Sequence, residues 1–93
     1  MLSQESAETF ALGVLQWLAG QDDLLGVFLG ASGLSEQGLR ERAGDPEVLG
    51  AVLDFVMMDD QWVRQCCDHL EQPYESLMQA RAALPGGEQV HWT

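Results

Sequence analysis

Fifteen carboxylates against four arginines and no lysine give this 93-residue chain a formal charge of −11. Phosphate backbones and anionic membranes are held by basic faces, so neither direct nucleic-acid binding nor membrane attachment is expected. An apolar fraction of 46% belongs to a globular chain rather than a disordered one, and the length suits one helical domain, 1–93.

Helical periodicity begins almost at once. Ser3 and Ser6 are both N-cap candidates, and Ala7, Phe10, Ala11, Val14 and Leu18 share one helical face until Gly20 stops the helix. Asp22 is expected to cap a short second helix carrying Leu24, Leu25, Phe28 and Leu29, with Gly30, Ser32 and Gly33 ending it. Ser35 caps a third, through Leu39 to Ala43, closed by Gly44.

Asp45-Pro46-Glu47 is the clearest start signal: a capping carboxylate, a proline where its missing N–H costs nothing, and an acid at the positive helix end. The helix after it buries Leu49, Val52, Leu53 and Val56, with Met57 beside them. Asp59 or Asp60 restarts the chain into a helix bearing Trp62, Val63, Cys66 and Leu70. Pro73 opens the last helix, with Leu77, Met78 and Leu84 as its apolar positions, and Pro85-Gly86-Gly87 ends it, leaving 85–93 as a tail. No segment alternates as a strand does, and the chain has no isoleucine. The expected fold is all-α, a compact bundle of five or six short helices.

The chain also repeats itself. Val14-Leu15-Gln16-Trp17-Leu18 precedes Asp22-Asp23, as Val52-Leu53-Asp54-Phe55-Val56 precedes Asp59-Asp60. Val14 and Val52 are 38 residues apart, as are Leu39 and Leu77. A duplicated three-helix unit would account for this, and so would two similar amphipathic helices.

Leu53-Asp54-Phe55-Val56-Met57-Met58-Asp59-Asp60, Ala83-Leu84-Pro85-Gly86-Gly87, Phe28-Leu29-Gly30-Ala31-Ser32-Gly33 and Arg42-Ala43-Gly44-Asp45-Pro46-Glu47 carry a resemblance over nearly the whole chain. They look like a small bacterial family known only as a domain of unknown function. The resemblance implies a short helical protein and brings no activity, cofactor or catalytic residue. Leu24 to Met58 also resembles the ubiquitin-associated-like three-helix fold, whose members bind protein surfaces.

Residue chemistry narrows the function by what is missing. Cys66, Cys67, Asp68 and His69 are the densest set of ligand types, yet adjacent cysteines point about 100° apart on a helix, a poor geometry for one metal. The expected state is one cysteine buried and the other near the surface, with no metal and no cofactor. Free cysteines and the lack of a basic leader segment point to the cytoplasm. The paired aspartates at helix starts are read as caps. No serine sits in a nucleophile elbow, and no glycine-rich loop follows a strand.

Large apolar side chains remain as candidate anchors. Phe10 and Phe28 are expected in the core, with Trp17 and Trp62 at the edges of their helices. Met58 and Trp62 could form an interaction surface, and His91 and Trp92 a second anchor in the tail. The functional expectation is a non-enzymatic cytoplasmic module that binds another protein, favouring a basic one, with self-association as a further outcome. The alternatives are an acidic mimic that occupies a nucleic-acid-binding protein, and a small metal or redox protein using Cys66, Cys67 and His69.

Overall fold

The computed structural model describes residues 3–85, and these form an all-α bundle: α1 (Gln4–Ala19), α2 (Asp22–Ser32), α3 (Glu36–Glu41), α4 (Pro46–Val56), α5 (Asp60–Leu70) and α6 (Ser76–Ala83). Among the described residues there is no strand, and no helix is long and apolar enough to cross a membrane.

Local side-chain chemistry starts most of the helices. The Ser3 hydroxyl accepts from the Ser6 N–H at 3.0 Å, and Ser35 accepts from Gly38 N–H at 2.9 Å. Asp45 caps α4 through the Glu47 N–H at 2.9 Å, with Pro46 at the first turn. The Arg42 guanidinium, 3.0 Å from Asp45, and that backbone donor hold the Asp45 carboxyl below the usual carboxylate range. Asp59 caps α5 through Gln61 N–H at 2.8 Å and Trp62 N–H at 3.3 Å. Each bond satisfies a backbone donor that a helix start leaves without an internal partner.

Several boundaries differ from the sequence expectation. The N-cap of α2 is Gln21 rather than Asp22, and Asp23 falls in the first turn, where a carboxylate favours the helix dipole. Gly30 does not end α2; Gly33 does, at φ 78°, a left-handed conformation that glycine adopts without a Cβ penalty. α3 stops at Glu41, before Ala43. Pro73 lies ahead of α6: its carbonyl accepts from Ser76 N–H at 3.0 Å in the turn that precedes the helix. Glu71 ends α5 at φ 57°, in the left-handed region without being glycine.

The core lies where α1 meets α4 and α6. α1 buries Ala7, Ala11, Val14, Leu15, Trp17 and Leu18, and α4 buries Val48, Leu49, Val52, Leu53, Phe55 and Val56. The two sequence-related stretches thus bury the same four relative positions, Val14, Leu15, Trp17, Leu18 and Val52, Leu53, Phe55, Val56. Trp17 is in the core rather than at its edge, while Phe10 is only half-buried. α6 contributes Leu77 and Ala80, but Met78 is exposed. Residues 24–58 do not close on a core of their own, because α4 packs chiefly on α1 and also against α6.

One polar contact ties α6 to α4. Arg81 Nε donates to Asp54 Oδ1 at 2.8 Å, and Nη1 donates to the Pro85 carbonyl at 3.2 Å. The guanidinium lies against Gly50, where an added Cβ would sit 2.9 Å from Nη1.

Candidate functional site

α4 ends at Val56 and α5 begins at Asp60, so the chain reverses within Met57, Met58 and Asp59. Three backbone bonds tighten this corner: Met57 N–H to Leu53 O at 3.0 Å, Met58 N–H to Phe55 O at 3.2 Å and Asp59 N–H to Val56 O at 3.3 Å. With the Asp59 cap fixing the entry to α5, the two methionines have little choice of position. Met57 packs partly on the core, while Met58 is 77% exposed.

An aromatic row supports the corner from below. The Phe28 ring meets Phe55 edge-on, with centroids 5.4 Å apart. Phe55 in turn stacks with Trp62 at 5.0 Å and 23°. Phe28 and Phe55 are buried and Trp62 is half-buried, so the row runs from core to surface. Each such pair is worth about 0.5–1.5 kcal/mol beyond the area it buries. The Trp62 ring is thereby held against Phe55, which also lines a cleft with the exposed Met58.

The consecutive methionines belong to two different clefts. Met58, Phe28, Phe55, Ala51 and Asp54 line one of about 210 Å³. Met57, Val63, Leu77, Met78, Tyr74 and Asp60 line another of about 180 Å³. Met78 is 67% exposed and Tyr74 50% exposed, which extends the apolar surface from the corner onto α6 and the turn before it. The Tyr74 hydroxyl donates to Asp68 Oδ1 at 3.1 Å, and that carboxylate pushes the phenol's pKa up. Each cleft therefore has apolar walls and one aspartate.

Charge at the corner is mixed, with Asp54 and Asp60 in the two clefts and the Arg64 guanidinium acting on Tyr74. Three of the four arginines are already paired: Arg40 with Glu36 at 3.4 Å, Arg42 with Asp45 at 3.0 Å and Arg81 with Asp54 at 2.8 Å. The first pair lies at a third apolar cleft, of about 290 Å³, built by Leu15, Leu25 and Leu39 between α1, α2 and α3. Its charged side chains satisfy one another, so it offers an apolar floor without an exposed aromatic anchor.

The cysteine cluster is placed differently from expectation. Cys66 and Cys67 are both fully buried, because α5 presents two adjacent positions to the core instead of one. Burial pushes the Cys66 thiol up to about 12 and raises Cys67 as well, so both are protonated at neutral pH. His69 is exposed, and among the described residues no three His, Cys, Asp or Glu side chains gather as metal ligands.

Met58 and Trp62 are each related to Phe55, Met58 as a fellow member of one cleft and Trp62 by ring stacking. His91 and Trp92 lie outside the described residues. Tyr74 and Met78 line the cleft of Met57, next in the chain to Met58, a grouping that sequence reasoning did not find. Their position depends on how α6 docks, and the sequence signal was limited to two large apolar residues after a proline.

Similarity to other proteins places the chain in a family. It belongs to the family described as Protein of unknown function (DUF3572), whose model matches residues 4–87. No curated protein and no solved structure matches the chain, so the resemblance of residues 24–58 to the ubiquitin-associated-like fold finds no counterpart there.

Proposed function

We propose that this protein is a non-enzymatic binding module of the bacterial cytoplasm, and that the α4–α5 corner is where it holds another protein. The observation that carries the reading is Met58, 77% exposed beside the stacked Phe55–Trp62 pair and at the mouth of an apolar cleft. Methionine and a rigid indole are common anchors of protein interfaces, the first adaptable, the second costing little entropy to order.

The partner's chemistry follows from charge. A second copy would bring another −11 to the contact, so self-association is disfavoured. A segment with one or two apolar anchors flanked by lysine or arginine fits better: the anchors enter the clefts, and the cations meet Asp60 and the acidic field around it.

The test is affinity capture from cytosol with an N-terminally tagged bait, comparing the wild type, Met58→Asp, Trp62→Ala and a chain truncated after Leu84. Circular dichroism confirms that each bait is folded. The expected result is a basic protein held by the wild type at moderate salt and lost by both corner variants. The truncation reports whether His91 and Trp92 add to the contact. A nucleic-acid-binding protein released by salt but retained by Met58→Asp would replace this reading with the acidic-mimic one. No protein distinguishing wild type from Met58→Asp would refute it.

A further inference from the structure

A larger cleft lies away from the corner and has a different character. About 460 Å³ lies between the start of α1 and the connection from α5 to α6, lined by Ser6, Thr9, Phe10, Gln72, Ser76 and Gln79 together with Pro73. Its volume is within the range of small-molecule sites. In a chain with 15 carboxylates, no charged side chain among the described residues lines it. Its polar groups are two amides and three hydroxyls, every one able both to donate and to accept.

Ser76 singles the cleft out. It is the one buried polar residue among the described residues, 8% exposed, and the only buried member of the lining. Its hydroxyl has no hydrogen bond to any described group, and it is not sealed off, since no enclosed side-chain N or O atom lacks a partner. It therefore takes its partner from whatever fills the cleft. Ser76 also opens α6, an eight-residue helix whose N-cap, Glu75, makes no side-chain capping bond. Nearby hydroxyls are already oriented: Thr9 donates to the Glu5 carbonyl at 3.1 Å and keeps its lone pairs, while Ser6 accepts from Ser3 at 3.0 Å and keeps its proton.

We propose that this cleft is a binding site for a small neutral polyhydroxylated molecule, a mono- or disaccharide. A sugar hydroxyl both donates and accepts, as the three hydroxyls do at one atom and the two amides do at neighbouring atoms. Phe10 and Pro73 supply apolar surface for the carbon face of the ring. Phosphorylated ligands fit poorly, because the chain carries −11 and Glu75 adjoins the site.

The experiment is a two-dimensional amide NMR titration of the full chain with glucose, mannose, N-acetylglucosamine, maltose and cellobiose, with glucose 6-phosphate for comparison. The expected result is saturable shifts for at least one neutral sugar, confined to residues 6–10 and 72–79, with weaker binding of the phosphate. Ser76→Ala and Gln79→Ala, both compatible with a helix, should each weaken that sugar by up to roughly tenfold, the loss of one hydrogen bond. The proposal is overturned by the absence of saturable shifts into the millimolar range, by shifts with glucose 6-phosphate alone, or by binding that neither variant weakens.

Discussion

α4 and α5 are both eleven residues long, adjacent in the chain and joined by a three-residue corner, yet they do opposite work. α4 buries seven of its residues and α5 two, Cys66 and Cys67. α4 is apolar nearly all round because it is covered on several sides by α1, α2 and α6. α5 covers the bundle with one stripe and leaves the rest to water. Stability should therefore be concentrated in α4 and recognition at the junction where burial gives way to exposure.

The strongest test of that division is Leu53→Ala on α4. Leu53 is fully buried, and its truncation should cost about 2–5 kcal/mol, measured as a fall in the urea midpoint. An equal loss from truncating Val63, half-buried on α5, would break the comparison.

pH tests the buried stripe of α5. The folded Cys66 thiol is raised from an ordinary value of 9.0 to about 12. A group whose folded pKa lies above its unfolded one adds stability that is complete below the unfolded value and is lost as pH rises through the folded value. The midpoint should hold up to pH 9.0 and fall between there and about 12, and Cys66→Ala should flatten this slope. An unchanged slope would remove Cys66 as its source.

Capping gives a smaller effect. Asp59→Ala should cost about 1 kcal/mol by unfolding α5 from its start, whereas Asp60→Ala, in the first turn but not the cap, should cost less. Comparable in size and opposite in sign, Glu71→Gly at φ 57° should stabilise by about 0.5–1 kcal/mol, as glycine relieves the left-handed residue that ends α5. Smallest of all, Met58→Ser should shift stability by less than about 0.5 kcal/mol, since Met58 is mostly in water, while abolishing capture of the partner. A large stability change there would make Met58 a packing residue and sink the interface reading.

How much of this could be read beforehand follows the range of the forces involved. Ser35 and Asp45 were legible as starts, and Ser3 and Asp59 each as one of two candidates, because a cap and the N–H it accepts from are two or three residues apart. The burial of Val14, Leu18, Val52 and Val56 was legible from spacing. Trp17 and Cys67 were misplaced because each helix is covered from more than one side, which widens its buried face beyond the ideal stripe. Met78 was put in the core because periodicity cannot tell which face of a short helix docks. Of the corner site, Met58 and Trp62 were visible as neighbours in sequence, whereas the Phe28–Phe55–Trp62 row needed the fold. The neutral cleft was illegible, since residues 6–10 and 72–79 meet only after α1 and α6 pack.

Gly50 has a consequence for how the sequence can drift. A glycine inside a helix forfeits up to about 1 kcal/mol against alanine, and here the open space is taken by the Arg81 guanidinium. Alanine at 50 would regain that helix preference and dislodge the guanidinium from Asp54 and the Pro85 carbonyl, two effects of similar size and opposite sign. Neither position is free alone: in any variant where residue 81 loses its guanidinium, glycine at 50 becomes a cost without a counterpart, so the two should change together or not at all.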